Sequence, residues 1–437
     1  VTLRYLSLFS GMEAATIAWA PLGWECVGVA EVDPAACALL AHRLNASRPK
    51  YMPDPDEPGI RDDVRDDRAR AIAAVAHLPE YGTPGTLPNL GDVSQVTADD
   101  IRELGPIDAV IGGSPCQDLS VAGKRAGLAG ARSGLFHEQM RIFDAARTFC
   151  GARWLVWENV PGAFSSNAGR DFGVVVGAMA GLDIAVPRDK WGSEGVALGP
   201  RGLVEWSVLD AQFFGLAQRR ERVFVVLDTG NWSDRGPVLV EPESLRGDSP
   251  PRREAGEGAT CGTLAGTSPG GGWRVGADEA AAGQLIPTVS MCLNAGGMGR
   301  IDAESETLLV AHTLRAEGHD ASEDGTGRGV PLAIGYRWAA SANESMSCDD
   351  IAPPLLANRN GEPAVGVRRL TPRECERLQG APDDYTLVPR GKAGKPMADS
   401  PRYKMLGNSF AVPVVRWIGA QIARAHADSS STRRLAA

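Results

Sequence analysis

An open α/β fold with a smaller, mostly β region placed before its last helices is what this 437-residue sequence predicts. Three observations predict it. Four short apolar runs, Leu3–Phe9, Cys26–Ala30, Ile107–Ile111 and Trp154–Trp157, read as buried strands, and each runs into a turn carrying Gly or an acid. An alanine-rich stretch reaching about Ala20 follows the first run with helical character. From about Thr229 to Thr371, Gly, Ser, Pro and Glu rise and helical periodicity disappears, which favours short strands between loops.

The elements follow in order. Leu3–Phe9 passes through the tight turn Ser10-Gly11 into the first helix, a unit that sets backbone N–H groups and a helix N-terminus beside a ligand. Glu31 closes the second run, at the spacing where an acid accepts hydrogen bonds from ribose hydroxyls. A nicotinamide enzyme shares both features. The GxGxxG fingerprint is absent, however, since Gly11 is followed by Met12, Glu13, Ala14, Ala15 and Thr16. Residues 46–90 are rich in Pro and Asp with one helix-like piece, Asp67 to His77, and read as a surface insertion. Gly91-Asp92-Val93 then reaches the next strand edge; Asp92 suits an adenine amino group, or simply a turn.

Ile107–Ile111 delivers Gly112-Gly113-Ser114-Pro115-Cys116-Gln117-Asp118-Leu119-Ser120 to the carboxyl edge of the sheet, where open α/β folds bind ligands. A thiol held by a rigid proline and followed by a hydrogen-bonding Gln reads as a nucleophile. A small, buried, apolar cysteine would carry the same letters. Ser120 to Leu135 contains Lys124, Arg125, Gly127, Gly130, Arg132 and Gly134, and its place beside the thiol suggests a lid over substrate; an ordinary surface connection is the alternative. Trp154–Trp157 delivers Glu158, where partial burial raises a carboxyl pKa as a general acid near neutral pH requires. A strand-terminal Glu with a structural partner is the competing reading. Val204–Asp210 and Val223–Leu227 bracket Gln218-Arg219-Arg220-Glu221-Arg222, and on an extended chain Arg220 and Arg222 point the same way.

Beyond residue 229 a short apolar piece around Leu recurs, at Gly262-Thr263-Leu264-Ala265, Met291-Cys292-Leu293-Asn294, His312-Thr313-Leu314-Arg315 and Pro354-Leu355-Leu356-Ala357. Short strands in a small β domain are the reading; a disordered linker competes with it. Thr371–Gln379 reads as a helix capped by Thr371, with Pro372 in its first turn and Glu374 at the third position, and joins the two parts. Gly407-Asn408-Ser409 opens a final helix over about Val412–Ala425, and residues 428–437 read as a flexible tail.

Composition sets the class. No run offers the ~20 consecutive apolar residues of a membrane span, and the start shows no basic-then-apolar leader pattern, so a soluble, cytoplasmic protein is expected. The eight cysteines form no CxxC pair, which points away from a zinc site or disulfide framework. The net charge of −9 runs against a nucleic-acid binder, yet seven acids against three Arg between Asp54 and Arg68 supply much of it locally. Basic residues cluster instead at Lys124-Arg125, Arg219-Arg220-Arg222 and Arg368-Arg369-Arg373, compatible with a DNA cleft on an acidic body.

Leu8-Phe9-Ser10-Gly11, Glu31-Val32-Asp33, Gly91-Asp92-Val93, the Pro115-Cys116-Gln117 motif, Glu158-Asn159-Val160, Gln218 through Arg222, Arg368 through Tyr385 and Gly407-Asn408-Ser409 occur in one order along nearly the whole chain. In that order they resemble the motifs of the DNA (cytosine-5) methyltransferases. The resemblance implies a Rossmann-like, S-adenosylmethionine-dependent methyltransferase fold with a smaller, mostly β target-recognition domain. Residues 1–228 and 402–426 would form the catalytic domain and 229–390 the smaller one.

It further implies that the enzyme flips a cytosine out of the duplex, that Cys116 attacks C6, and that the methyl group moves to C5. Cys116, Glu158, Arg220 and Arg222 would be catalytic. Phe9, Gly11, Met12, Glu31, Val32, Asp92, Val93, Pro115, Leu135, Asn408 and Ser409 would surround S-adenosylmethionine, while Gln117, Ser120, Lys124, Arg132 and Gln218 would meet DNA, with no metal. The partners it implies are double-stranded DNA, bound by a monomer, and a cognate restriction endonuclease, in a bacterial or phage-infected cell. In the family the first turn usually carries further glycines, so Glu13 and Ala14 depart from its pattern. A tRNA cytosine-5 methyltransferase and a catalytically inactive DNA-binding regulator are the alternatives.

Overall fold

Apolar residues alternate to both faces along the first four strands, so both faces must be covered. In the computed structural model, which describes residues 2–114, 134–233, 235–240, 332–337 and 364–436, they are. The strands are β1 (Arg4–Leu8), β2 (Glu25–Ala30), β3 (Ala109–Gly112), β4 (Trp154–Asn159), β5 (Glu194–Gly199), β6 (Gly202–Asp210) and β7 (Glu221–Asp228). They form one sheet in the order β2-β1-β3-β4-β7-β6-β5. β2, β1, β3 and β4 are parallel, and β7, β6 and β5 continue the sheet antiparallel. The chain leaves β1 for β2 on one side and returns to β3 on the other. That reversal opens a crevice between the carboxyl ends of β1 and β3, where Phe9-Ser10-Gly11 and Gly113-Ser114 emerge.

Leu6, Leu8, Val110, Leu155 and Trp157 face one side, packed with α4 (Ala98–Glu103), α5 (Gly134–Cys150) and α6 (Arg170–Ala180). Tyr5, Ala109, Ile111, Trp154 and Val156 face the other, against α1 (Ala14–Trp19) and the last helix. A third apolar cluster joins Met12 and α2 (Pro34–Leu44) to α7 (Pro372–Gln379) and α8 (Asp399–Gly407). The capping box expected at Thr371 is present, with Thr371 and Glu374 each bonding the other's backbone N–H. β8 (Leu332–Arg337) pairs antiparallel with β9 (Ala364–Arg369). The four Leu-centred repeats lie outside the described residues. Among those described, no helix is long and apolar enough to cross a membrane.

The structure corrects several boundaries. The helix expected over Asp67–His77 is α3 (Asp62–Val75); Asp62 and Asp63 occupy its first turn, where carboxylates meet the positive helix end. The insertion around it is not wholly superficial, because Asn89 bridges Val29 of β2, with further bridges Ala46–Leu87 and Tyr51–Gly91 beyond it, extending the sheet edge. Gly91 holds φ +77, and a Cβ there would lie 1.9 Å from the Tyr51 carbonyl oxygen, so glycine is required. Val238 and Leu239, and then Leu370 to Val388, pack into the large body although they fall within the stretch assigned to the small domain. Buried Glu205 holds the first of these segments by accepting bonds from the Val238 and Leu239 N–H groups, and Arg235 pairs with both Glu205 and Asp228.

Nor does the tail begin at 428. The last helix, α9, runs Val412–Ala436, and Ser429 is buried, bonding Asn231 and Ala425. No Gly or Pro follows Gly419 to stop it. β5 was unforeseen, since its outward Val196 and Leu198 are exposed and only its pairing with β6 makes it a strand.

α9 docks through Trp19, whose indole N–H donates to the Val415 carbonyl at 2.8 Å. A Cβ on Gly419 would stand 2.3 Å from that indole nitrogen. Gly419→Ala should therefore overpack the contact and destabilise by roughly 1–3 kcal/mol, seen as a lower denaturant midpoint. An unchanged midpoint would contradict this packing.

Candidate active site

The antiparallel register sets Glu158 opposite Phe224, so Arg222, two residues away on β7, reaches the same face. Its Nε lies 3.1 Å from Glu158 Oε1, and both side chains are only 13% exposed. Burial pushes the Glu158 carboxyl above the ordinary carboxylate value, outweighing the opposing pull of Arg222 and Arg220. A carboxyl so placed keeps its proton to higher pH than a free one.

Gly113, which leads to Pro115-Cys116, lies against this carboxyl: a Cβ on it would sit 2.8 Å from Glu158 Oε2 and 3.3 Å from the Phe410 ring. The approach is fixed by side chains within the sequence motifs and apolar runs and by one, Gln139, that the sequence did not mark out. Ser114 Oγ accepts from the Trp157 indole at 3.0 Å, and its carbonyl accepts from Asn159 Nδ2 at 3.4 Å. Gln139 of α5, fully buried, donates to the carbonyls of Gly112 and Val156 and so clips the ends of β3 and β4 together. A Gln between Phe136, Met140 and Phe143 on an otherwise apolar helix face was the available signal. Pro115, Cys116, Gln117, Ser120, Lys124 and Arg132 lie outside the described residues.

Arg220 and Gln218 take places other than those expected. Arg220 is buried and donates to the carbonyls of Gly407 and Ser409, tying the C-terminal motif to β7. It also acts on Glu158 through charge. Gln218 is also buried: its amide donates to the Leu378 carbonyl at 2.5 Å and to Gln379. A DNA contact by Gln218 is thereby corrected, because the C-terminal end of α7 takes its donors.

On the other side of the crevice, Gly11 in the left-handed region donates its N–H to Glu31 Oε2 at 2.7 Å. Glu31 Oε1 accepts from the N–H groups of Val32 and Asp33. Burial pushes the Glu31 carboxyl up while these backbone donors pull it down. Buried Asn89, also unmarked in the sequence, accepts from the N–H groups of Glu31 and Gly91, holding the Asp92 turn beside β2. Asp92 itself accepts from Ser94 and Gln95, the turn-forming role. Lys404 pairs with Asp33 at 2.9 Å, which brings the end of α8, with exposed Asn408 and buried Ser409, to the same edge. Phe9 and Leu135 are partly buried against the core. Met12 and Val93 are core side chains, so only their backbones are free to face a ligand. Among the described residues no group of acids, His and Cys has the makings of a metal site.

The model of one protein family, C-5 cytosine-specific DNA methylase, matches residues 85–235 and 315–424. A relative from Escherichia phage P1, named DNA N-6-adenine-methyltransferase, is 31% identical over 506 residues, covering 97% of this chain and 61% of its own length. Type II methyltransferase M2.BsuMI of Bacillus subtilis is 24% identical over 328 residues, covering 74% of this chain and 62% of its own length. The chain thus spans about three fifths of each of these relatives. Among solved structures, the S. pombe Dnmt2 methyltransferase aligns with a TM-score of 0.45 and 15% identity, over 96% of this chain and 98% of that one.

Because Arg222 opposes the burial effect on Glu158, Arg222→Gln should move the Glu158 titration further upward, read by carbon NMR on glutamate-labelled protein. An unmoved titration would show that the two side chains do not pair in solution.

Proposed function

The chain belongs to the C-5 cytosine-specific DNA methylase family, and from that premise we propose that it methylates carbon 5 of cytosine in double-stranded DNA with S-adenosylmethionine. The observation that carries the reading is the buried Glu158–Arg222 pair set directly against Gly113-Ser114, the approach to Cys116.

Carbon 5 of cytosine is a poor nucleophile. A Cys116 thiolate adding to C6 pushes electron density to C5, and protonated Glu158 donates its proton to N3 of the base, neutralising the charge this creates in the ring and leaving a carboxylate beside Arg222. Arg222 keeps the Glu158 carboxyl in place and meets the O2 side of the base. Loss of the C5 proton to water, return of the N3 proton to Glu158 and departure of the thiolate then restore the aromatic ring. The target atom lies inside the stacked duplex, so the base must first be flipped out. S-adenosylmethionine, when bound, supplies an electrophilic methyl group.

The crevice residues fit that cofactor. Among the described residues Glu31 Oε2 accepts a single hydrogen bond, from Gly11, which leaves acceptor capacity for a ribose hydroxyl. Asn408 is exposed at the same edge, next to the Lys404–Asp33 pair. Residues 1–240 with 370–436 form the catalytic body in this proposal, and the stretch between them reads the target sequence. The type II name of the Bacillus subtilis relative supports a cognate restriction endonuclease as partner.

A second reading, methylation of adenine N6, is favoured by the name of the phage P1 relative. An exocyclic amine has its own lone pair and needs no covalent activation of the ring, so a cysteine motif beside a Glu–Arg pair would stand idle. That relative also extends well beyond the matching part. Nucleoside analysis of DNA from methylation-deficient cells expressing the protein should show 5-methylcytosine, lost in Cys116→Ser with DNA binding retained. N6-methyladenine in its place, persisting in the variant, would overturn the reading.

The protonated form of Glu158 is the active one, so turnover should fall as pH rises through its elevated pKa. Glu158→Gln should be slower by roughly 100-fold or more, the scale of a general acid, and should lose that limb of the profile. A limb unchanged in the variant would assign it to another group.

A further inference from the structure

Glu13 stands where the turn after β1 adopts a glycine-like backbone. Its φ of 57° and ψ of 55° lie in the left-handed region, which side chains other than glycine rarely enter. The side chain is 1% exposed, so solvent does not hold it there. Three residues do. Oε2 accepts from Ser7 Oγ at 2.5 Å and Oε1 accepts from the Thr16 N–H at 3.1 Å, while the Tyr5 and Thr16 hydroxyls bond each other at 2.7 Å, so that one of the two donates to Oε1. Burial pushes the Glu13 carboxyl upward, and the hydroxyls of Ser7, Thr16 and Tyr5 oppose it.

The carboxylate thus ties the far end of the turn to two residues of β1. The near end is tied to β2: Ser10 N–H donates to the Ala30 carbonyl, Ser10 Oγ accepts from the Ala30 N–H, and the same hydroxyl donates to the Ser7 carbonyl. Ser7 belongs to both networks. Between these anchors Gly11 projects its N–H at Glu31, and the Glu13 N–H closes the loop on the Ser10 carbonyl at 2.7 Å.

We propose that Glu13 is a positioning residue for the cofactor turn: its buried carboxylate, held by Tyr5, Ser7 and Thr16, sets the backbone of Ser10–Met12 so that Gly11 and Glu31 meet the nucleoside of S-adenosylmethionine. The inference rests on the cofactor reading above. Glu13 touches no ligand and acts through the turn. A glycine there would satisfy the dihedral angles but leave the turn untethered from β1.

The test is calorimetric titration of S-adenosylhomocysteine into the full chain and into Glu13→Gln, Glu13→Gly and Ser7→Ala, with a thermal melt of each unliganded protein. Glu13→Gln places an amide NH₂ against a donor and should weaken binding by roughly tenfold, the scale of one charge-assisted hydrogen bond. Glu13→Gly should weaken it similarly although it relaxes the backbone, and Ser7→Ala, the mildest change, by roughly threefold. KM for S-adenosylmethionine should rise in step, with kcat at saturating cofactor within roughly twofold of the parent. Unchanged affinity in Glu13→Gly or in a folded Ser7→Ala would overturn the inference, since backbone geometry would then suffice. No binding to the parent chain would instead overturn the cofactor reading itself.

Discussion

One buried carboxylate organises the carboxyl edge of this sheet. Glu158 leaves β4 at a point where solvent is nearly excluded, and a charge there is favoured by Arg222 at 3.1 Å and by the charge of Arg220. Removing one partner of such a buried pair costs on the order of 3–5 kcal/mol, so β4 and β7 must keep their register for the pair to survive. That register fixes Phe224 opposite Glu158, and the Phe224 ring lies 6.5 Å from that of Phe410. Gly113 threads the remaining space, where no side chain fits. The local geometry therefore leaves the chain leading to Cys116 a single narrow path past the acid.

The same edge is closed from the far end of the sequence. Arg220 holds the carbonyls of Gly407 and Ser409 on the β7 side, and Lys404 holds Asp33 on the β2 side. α9 covers the back of the sheet through Trp19, and α7 with α8 shares an apolar cluster with Met12 and α2. The crevice is thus assembled from both termini, although the two parts of it stand several hundred residues apart in the chain. Two glutamates sit in unlike surroundings within it. Glu158 is set against an Arg and Glu31 against backbone N–H groups, the contrast on which the roles proposed for them in proton chemistry and in binding a hydroxyl rest.

Much of this was legible in the sequence because it depends on local patterns. The four apolar runs became β1 to β4, and Thr371 with Glu374 announced its capping box. Glu158 and Arg222 were legible as strand-end residues, and the structure pairs them. What stayed hidden depends on partners remote in sequence. Gln218 and Arg220 look like ligand-facing polar groups until α7 and the Gly407–Ser409 carbonyls claim them. β5 has an exposed apolar face and gains its strand character from β6. Asn89 and Gln139 are ordinary polar letters whose importance comes from burial. The end of α9 was misread because a polar, serine-rich stretch resembles a frayed tail, whereas Ser429 is buried and bonded to Asn231.

Covalent activation of the base by Cys116 is the central claim, and a substrate that cannot complete the cycle tests it directly. Duplex DNA of mixed sequence with 5-fluorocytosine in place of cytosine carries no proton to lose from C5, so an enzyme that has added to C6 stays bound. Incubation with S-adenosylmethionine, followed by denaturing mass analysis and peptide mapping, should give a protein–DNA adduct at Cys116. Absence of any adduct from protein that still methylates ordinary DNA would contradict the account.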